Sequence, residues 1–598
     1  MYPAPGAVVD AADSTYLLGT TGAGDAALTI NGASVKVWPN GAWIAWVSLP
    51  ADSIPRFELR ASTPRDTTSL VYELRRAPRF IPPPATVWID STSLTPRGRV
   101  WVHAGEYLTL TARAAPGARL HLRLPNGAIV PLAPDPVRAD APEAVRAFGW
   151  DTLKLETPVR TDRYRGMLRG CTLGSDPGPV LPVRPSAAEA SWQRAALFAV
   201  RGADTASVEW PLQIALLDTF PTIAALDDDP ERLGGGDGIT AGRSAIGATY
   251  AWFFPAGTRV QVSGRMNDEL RIRLADGVEA WVAAAEAQPL PGGTPVPRAR
   301  AGPLTLTPAR DRVLARIPLG ERVPFLVQEG DRRLALYLYG ADGDIDWIRY
   351  GPAMSDSLVR RVTWHHEAGN VLRLDFELTR PVWGYRARWS EQDLILEIRR
   401  PPVIDGGNPL RGRIIAVDPG HPPAGATGPT GLRESEANLA VATMLAGLLK
   451  DAGARPTLTR TADVPVDHGS RVPMADSMGA ELFVSIHQNA LPDGLDPFPN
   501  SGTSVFYNQP RSLPLARAIQ RRLVAVFGAR DLGTARADLA VTRGSWTPAV
   551  LVEGLHIIMP QHEAALRTRT GQEMYARGVL EGIRDFLSEI RDKRQETK

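Results

Sequence analysis

Ile414-Ile-Ala-Val-Asp-Pro-Gly-His421 is a short apolar run that stops at Asp-Pro-Gly and delivers a histidine. Such a run, closed by turn residues, reads as a buried strand. Leu482-Phe-Val-Ser-Ile-His487-Gln-Asn489 repeats the arrangement, and Ala549-Val-Leu-Val-Glu553 ends a third run in a carboxylate. Between the first two, Gly431-Leu-Arg-Glu434-Ser-Glu-Ala-Asn438-Leu439 reads as a loop entering a helix with carboxylates at its mouth. In an open α/β sheet the crevice lies outside the carboxyl ends of the strands, so residues at those ends converge although far apart in sequence.

Two histidines, a glutamate and a second glutamate in one crevice fit a catalytic zinc, which takes three protein ligands from His and Asp/Glu and keeps a fourth position open. His421, Glu434 and His487 supply those three, with Glu436 a competitor for the carboxylate position. The metal lowers the pKa of its bound water to around 7. A nearby base must still take the proton and return it to a leaving group, and Glu553 is placed for that. Taken singly the patterns say little, since a histidine after a strand is commonly a loop residue and a glutamate there a helix cap. Their combination carries the reading.

From about Arg413 to Leu587 the sequence resembles the zinc-dependent N-acetylmuramoyl-L-alanine amidases, hydrolases that cut between the lactyl group of N-acetylmuramic acid and the L-alanine of the peptidoglycan stem peptide. The matching pieces run in family order: Val417-Asp-Pro-Gly-His421, Gly431-Leu-Arg-Glu434 with Asn438-Leu439, Thr459-Arg460 followed by Asp463, Arg471, Phe483-Val-Ser-Ile-His487 with Asn489, Gly502 to Tyr507, and Pro548-Ala-Val-Leu-Val-Glu553. The resemblance implies zinc ligands at His421, Glu434 and His487 and a catalytic Glu553, in agreement with the reading from residues. Register with Asn438 favours Glu434 over Glu436. Asn489, Arg471 and His556 are the expected substrate contacts, with a packed loop histidine the favoured alternative for His556. Two departures stand out: Pro422-Pro423 replaces the family's glycines, which removes backbone donors, and Gly554-Leu-His-Ile-Ile-Met559-Pro560 replaces its usual segment after the glutamate.

Two rival functions use the same residues. A zinc carboxypeptidase or other metallo-amidase needs a cationic anchor for a terminal carboxylate, for which Arg433 or Arg543 could serve. A non-catalytic wall-binding scaffold with a degenerate amidase domain is suggested by the two departures.

Length and composition bound the rest. At 598 residues the chain holds about four domains by length alone. Net charge of +2, with no basic run or aromatic-interleaved basic patch, gives no basis for a nucleic-acid partner. Cys171 is the one cysteine, so there is no internal disulfide framework. No stretch reaches transmembrane length, and Met1-Tyr-Pro-Ala-Pro-Gly-Ala-Val-Val-Asp10 lacks the pattern of a secretory signal. Peptidoglycan is the expected partner, so an exported, periplasmic or wall-associated protein is expected.

The fold expected is a string of small β domains followed by an α/β catalytic domain with a mostly parallel sheet. An immunoglobulin-like domain is expected over 15–80, with Ala27-Leu-Thr-Ile-Asn-Gly32 and Val35 to Val47 forming hairpins turned by Asn-Gly. A second β-sandwich-like domain is expected over 85–215, after the linker Pro82 to Pro84, and its His103 and His121 read as structural. A glycine-rich acidic loop, Asp227 to Gly238, leads into a Src-homology-three-like barrel that completes 216–290. An AMIN-like β domain is expected over 304–402, where His365 and His366 point to opposite faces of a strand and cannot chelate together. These modules are candidates for wall-localisation contacts.

The zinc amidase domain is expected over 411–590, with strands near 414–417, 456–460, 482–487, 503–507 and 549–553. Helices are expected near 435–451, 470–478, 511–527 and 561–590, an alternation that implies a sheet covered on both faces. All the motifs lie inside about 408–598, which predicts that this span folds and acts alone. Leu491 to Gly502 borders the cleft, and it is too short for a blocking helix, so an open site is expected.

Overall fold

Alternate residues of the apolar runs serve opposite faces of one six-stranded sheet. The strands lie in the order Arg455–Leu458, Ile414–Pro419, Leu482–Asn489, Ala549–His556, Thr503–Tyr507, Asp531–Arg536. Ile415, Val417, Val484, Ile486, Val550 and Val552 face a large core built with the helices Glu434–Asp451, Leu513–Phe527 and Arg569–Gln595. Ala416, Phe483, Ala549 and Leu551 face a smaller core with Ala475 of the helix Arg471–Ser477. This period of two is what a strand buried on both faces requires.

The structure is a computed structural model that describes the chain apart from residues 12, 51, 78–81, 84–85, 139–158, 174–192, 218–220, 228–237, 346–357 and 596–598. The acidic loop from Asp227 to Gly238 thus lies largely outside the described residues, as does Pro84 of the linker.

The sheet is mixed. Four of its pairings are parallel, and Thr503–Tyr507 runs antiparallel to Ala549–His556. The edge strand Asp531–Arg536 has no counterpart among the strands expected from sequence, because Asp-Leu-Gly-Thr-Ala-Arg has neither an apolar run nor alternation and is extended only by pairing with its neighbour. The helix expected over 561–590 is two helices, Pro560–Leu566 and Arg569–Gln595. Thr568 makes the break: its hydroxyl accepts from the Gly571 amide at 3.0 Å and so caps the second helix.

Upstream the described elements are β strands and short 3₁₀ turns. In the first module the Asn31-Gly32 turn, both residues at positive φ, joins Ala27–Ile30 to Ala33–Val35. Strands of the next two regions share one hydrogen-bonded ladder, since Gly98–Val102 pairs with both Asp204–Leu216 and Arg259–Met266. Two four-stranded sheets between Thr305 and Arg399 then enclose a single core.

These modules are docked on the α/β domain. Tyr16, Leu18, Ile44 and Trp383 belong to its larger core. Arg399 is buried and donates to the carbonyls of Ala480 and Trp546 at 2.9 and 3.1 Å. Glu329 and Arg511 form a buried ion pair, and the Tyr250 amide donates to Asp538 at 2.7 Å.

Candidate metal centre

Three adjacent parallel strands bring the chemistry together. Pro419 pairs with Ile486 and His487 with Glu553, so His421, His487 and Glu553 arrive at the carboxyl end of the central strands. Gly420 lets the first two approach, because a Cβ there would lie 2.2 Å from His487 Nε2. His421 follows in the left-handed region, φ 56°, which turns its ring back toward the sheet end.

Glu434 is the first residue of its helix and reaches between the histidines. Its Oε1 lies 3.3 Å from His421 Nε2 and 3.2 Å from His487 Nδ1, and the ligand atoms of the three residues all fall within 4.8 Å of one another. The carboxylate also accepts from the amides of Ala426 at 2.9 Å and Gln488 at 3.1 Å. Burial alone pushes the Glu434 carboxyl up, but the hydrogen bonds and charge of the two histidines hold it well below the usual range. Glu436 points elsewhere, pairing with the exposed Arg433 at 2.6 Å. It is therefore Glu434 that joins the histidines.

The residues present fit a zinc ion. Two imidazoles and one carboxylate are the donor set of catalytic zinc sites, and His421 Nδ1 is 3.0 Å from the Pro423 carbonyl. That bond places the proton on Nδ1 and leaves Nε2 as the free donor, as metal-ligating histidines require. His421 and His487 keep 18 % and 12 % of their side-chain surface, so the centre opens to solvent.

Glu553 stands beside this group, 7 % exposed, and its Oε2 has no hydrogen-bond partner among the described residues. Burial, then the neighbouring Glu434 charge, raise its carboxyl well above the usual range.

Two expected substrate contacts take other positions. Arg471 is 1 % exposed and donates to Asp418 and the Pro419 carbonyl, both at 2.8 Å, and to the carbonyls of Pro422 and Val466, both at 3.0 Å. Its guanidinium ties down the loop that carries His421, and so supplies from below the support that Pro422-Pro423 cannot give through amides. His556 is fully buried, its Nδ1 3.0 Å from the Gly502 carbonyl. Burial, then His562, push its pKa down to about 3, so the ring is neutral and packs against the neighbouring strand. Asn489 is half-buried at the cleft edge, and its carbonyl accepts from the Ile557 amide at 2.9 Å.

Sequence reasoning passed over two braces. Asp418 is fully buried, accepting from Ser485 Oγ at 2.6 Å and from Thr459 as well as Arg471. Tyr575 of the last helix sends its hydroxyl between the catalytic strands, 3.0 Å from the carbonyls of His487 and Val552, and accepts from the Gly554 amide at 2.9 Å. Asp418 lies in the quoted motif and could have been marked as a buried acid. Tyr575 gives no local signal, since an aromatic at an apolar helix position reads as core.

Residues 415–585 match the family model described as N-acetylmuramoyl-L-alanine amidase. A protein called YqiI from Bacillus subtilis is 32 % identical over 200 residues, which are 32 % of this chain and 94 % of that protein. The chain belongs to the N-acetylmuramoyl-L-alanine amidase family. N-acetylmuramoyl-L-alanine amidase LytC of Bacillus subtilis is 35 % identical over 180 residues, 29 % of this chain, and the chain spans only 36 % of the length of that relative. Among solved structures, N-acetylmuramoyl-L-alanine amidase AmiC2 of Nostoc punctiforme is 30 % identical, with 29 % of this chain and 97 % of that one covered, at a TM-score of 0.28. Within this family frame, the β modules before residue 415 lie outside the matched region.

Proposed function

We propose that the protein is a zinc-dependent N-acetylmuramoyl-L-alanine amidase that acts on peptidoglycan outside the cytoplasm, with His421, Glu434 and His487 holding the metal and Glu553 as general base. The observation that carries this is the convergence of three donor atoms within 4.8 Å beside a buried glutamate with an oxygen unpartnered among the described residues. Bound zinc would acidify water and polarise the scissile carbonyl. Glu553 takes the proton of the attacking water and delivers it to the L-alanine nitrogen as the C–N bond breaks. The products are a free muramyl carboxylate and a stem peptide with a free L-alanine amine. The raised affinity of Glu553 for a proton suits both transfers, because a catalytic acid/base works best with a pKa drawn toward the working pH.

Neither rival draws the same support. A carboxypeptidase needs a free cation, whereas Arg433 is engaged with Glu436 and Asp463, both at 2.6 Å, and Arg543 with Asp538 at 2.6 Å. A degenerate scaffold has no need of the braces Asp418 and Arg471, or of Asn438, whose amide donates to the Gly420 carbonyl at 3.2 Å and to Glu434 at 3.3 Å. The test is incubation of the zinc-loaded protein with purified peptidoglycan and mass analysis of the products. Intact stem peptides with a free L-alanine amine are expected. Loss of a terminal residue instead would establish the peptidase, and no product the scaffold.

A further inference from the structure

The amino-terminal module grips the two loops that leave the catalytic strands. Tyr16 is 1 % exposed, and its hydroxyl donates at 2.5 Å to the carbonyl of Leu491, two residues beyond Asn489. Tyr2 stacks on Tyr16 with ring centroids 5.7 Å apart and donates to Asp493 at 3.2 Å. Gly494, at φ 82°, turns so close to this module that a Cβ there would lie 3.2 Å from Ala11 Cβ. The second loop is tied to the first by the Ile557 amide, which donates to the Asn489 carbonyl at 2.9 Å. Ile44 of the same module shares the core of Ile557 and Ile558.

Both loops leave the carboxyl ends of strands, the side on which His487 and Glu553 lie, and loops at that end line the crevice. A segment that shapes the crevice but is anchored by a separate module is held by few contacts of its own. We propose that this module is a built wall of the amidase cleft, with Tyr16 a positioning residue that fixes the Leu491–Leu495 loop in the conformation substrate meets. The inference rests on the amidase reading. It assigns the amino-terminal module to shaping the reacting site and not to tethering at a distance.

Tyr16→Phe in the full-length, zinc-loaded protein removes the hydroxyl that holds the Leu491 carbonyl and keeps the ring. Tyr164→Phe is the control, since Tyr164 is equally buried and donates to the Ala115 carbonyl at 2.8 Å entirely within the second β region. In the Tyr16 variant, amide hydrogen exchange over 490–496 should accelerate, zinc content and kcat should stay within twofold, and KM for a soluble muropeptide should rise about five- to tenfold, the worth of one buried hydrogen bond. The control should change none of these. Unchanged exchange over 490–496, or an unchanged KM in an active enzyme, overturns the wall role alone, as does a fall in kcat at constant KM. A parent protein that releases no stem peptide overturns the amidase reading and the wall role with it.

Discussion

Glu553 pays no structural dividend where it stands: its carboxyl is buried, next to another carboxylate, with one oxygen unpartnered among the described residues. Such a group survives where function uses it. Glu553→Gln keeps the shape but cannot accept the water proton, so zinc should stay bound while kcat falls by roughly 10² to 10⁴. Glu436→Gln should leave both intact, because Glu436 only pairs with Arg433 on the surface. Metal analysis alongside turnover separates the outcomes: loss of zinc from Glu553→Gln would make Glu553 a ligand. His487→Ala should lose metal and activity together, since two donors hold an open zinc site poorly, and stoichiometric zinc in that variant would remove His487 from the ligand set.

Asp476 is a half-buried acid, without the same chemistry around it. Burial lifts its pKa to about 6, partly offset by Arg386 and Arg399, and its Oδ1 has no partner among the described residues. A carboxyl whose folded pKa is raised stabilises the protein when protonated, so its contribution is present below pH 4 and lost as pH rises through about 6. Asp476→Asn should therefore raise Tm at pH 7.5 by an amount worth about 1–3 kcal/mol and leave it nearly unchanged at pH 4.5. Equal shifts at both pH values would place the effect in packing and not in charge.

Among the elements, the strand Phe325–Glu329 and the turn Pro510–Ser512 meet at a buried ion pair. Glu329 accepts from the Arg511 amide at 2.7 Å as well as from its guanidinium, which lies 5.3 Å from the Tyr385 ring. Burial outweighs the attraction enough to raise the Glu329 pKa, so the pair as a whole adds little stability. Breaking it is another matter. Glu329→Ala leaves Arg511 buried without its counter-charge and should cost about 3 kcal/mol or more in denaturant unfolding. A loss below about 1 kcal/mol would mean that water or a neighbour takes over the charge.

For the whole molecule, sequence reading treats 408–598 as self-sufficient, and the structure qualifies this. Tyr16, Leu18, Ile44 and Trp383 complete the core of the catalytic domain, and Trp383 stacks on Phe586 at 6.0 Å. Removing them uncovers apolar surface worth on the order of 1.5–3 kcal/mol per fully buried side chain. The fragment should therefore bind zinc, melt below the full chain in calorimetry, and show a raised KM. A fragment with the Tm and KM of the full chain would show that the docked modules contribute nothing to the catalytic fold.

The central strands and the residues gathered at their ends were legible in the sequence because each is a local event: an apolar run long enough for a buried strand, ended by Asp-Pro-Gly-His421, by His487-Gln-Asn489 or by Glu553. Residues at the ends of such strands must converge, so Glu434 at a helix mouth could be added by the same logic. Only the tertiary structure decided what surrounds them. The edge strand Asp531–Arg536 exists through its neighbour's hydrogen bonds, and it is the packing that sets the burial of Arg471 and His556. Tyr575 reaches the central strands from 88 residues beyond His487, and Tyr16 reaches Leu491 from the other end of the chain. Contacts between residues so distant leave no periodicity or motif in the sequence, because what selects each partner is the shape of the folded surface it meets.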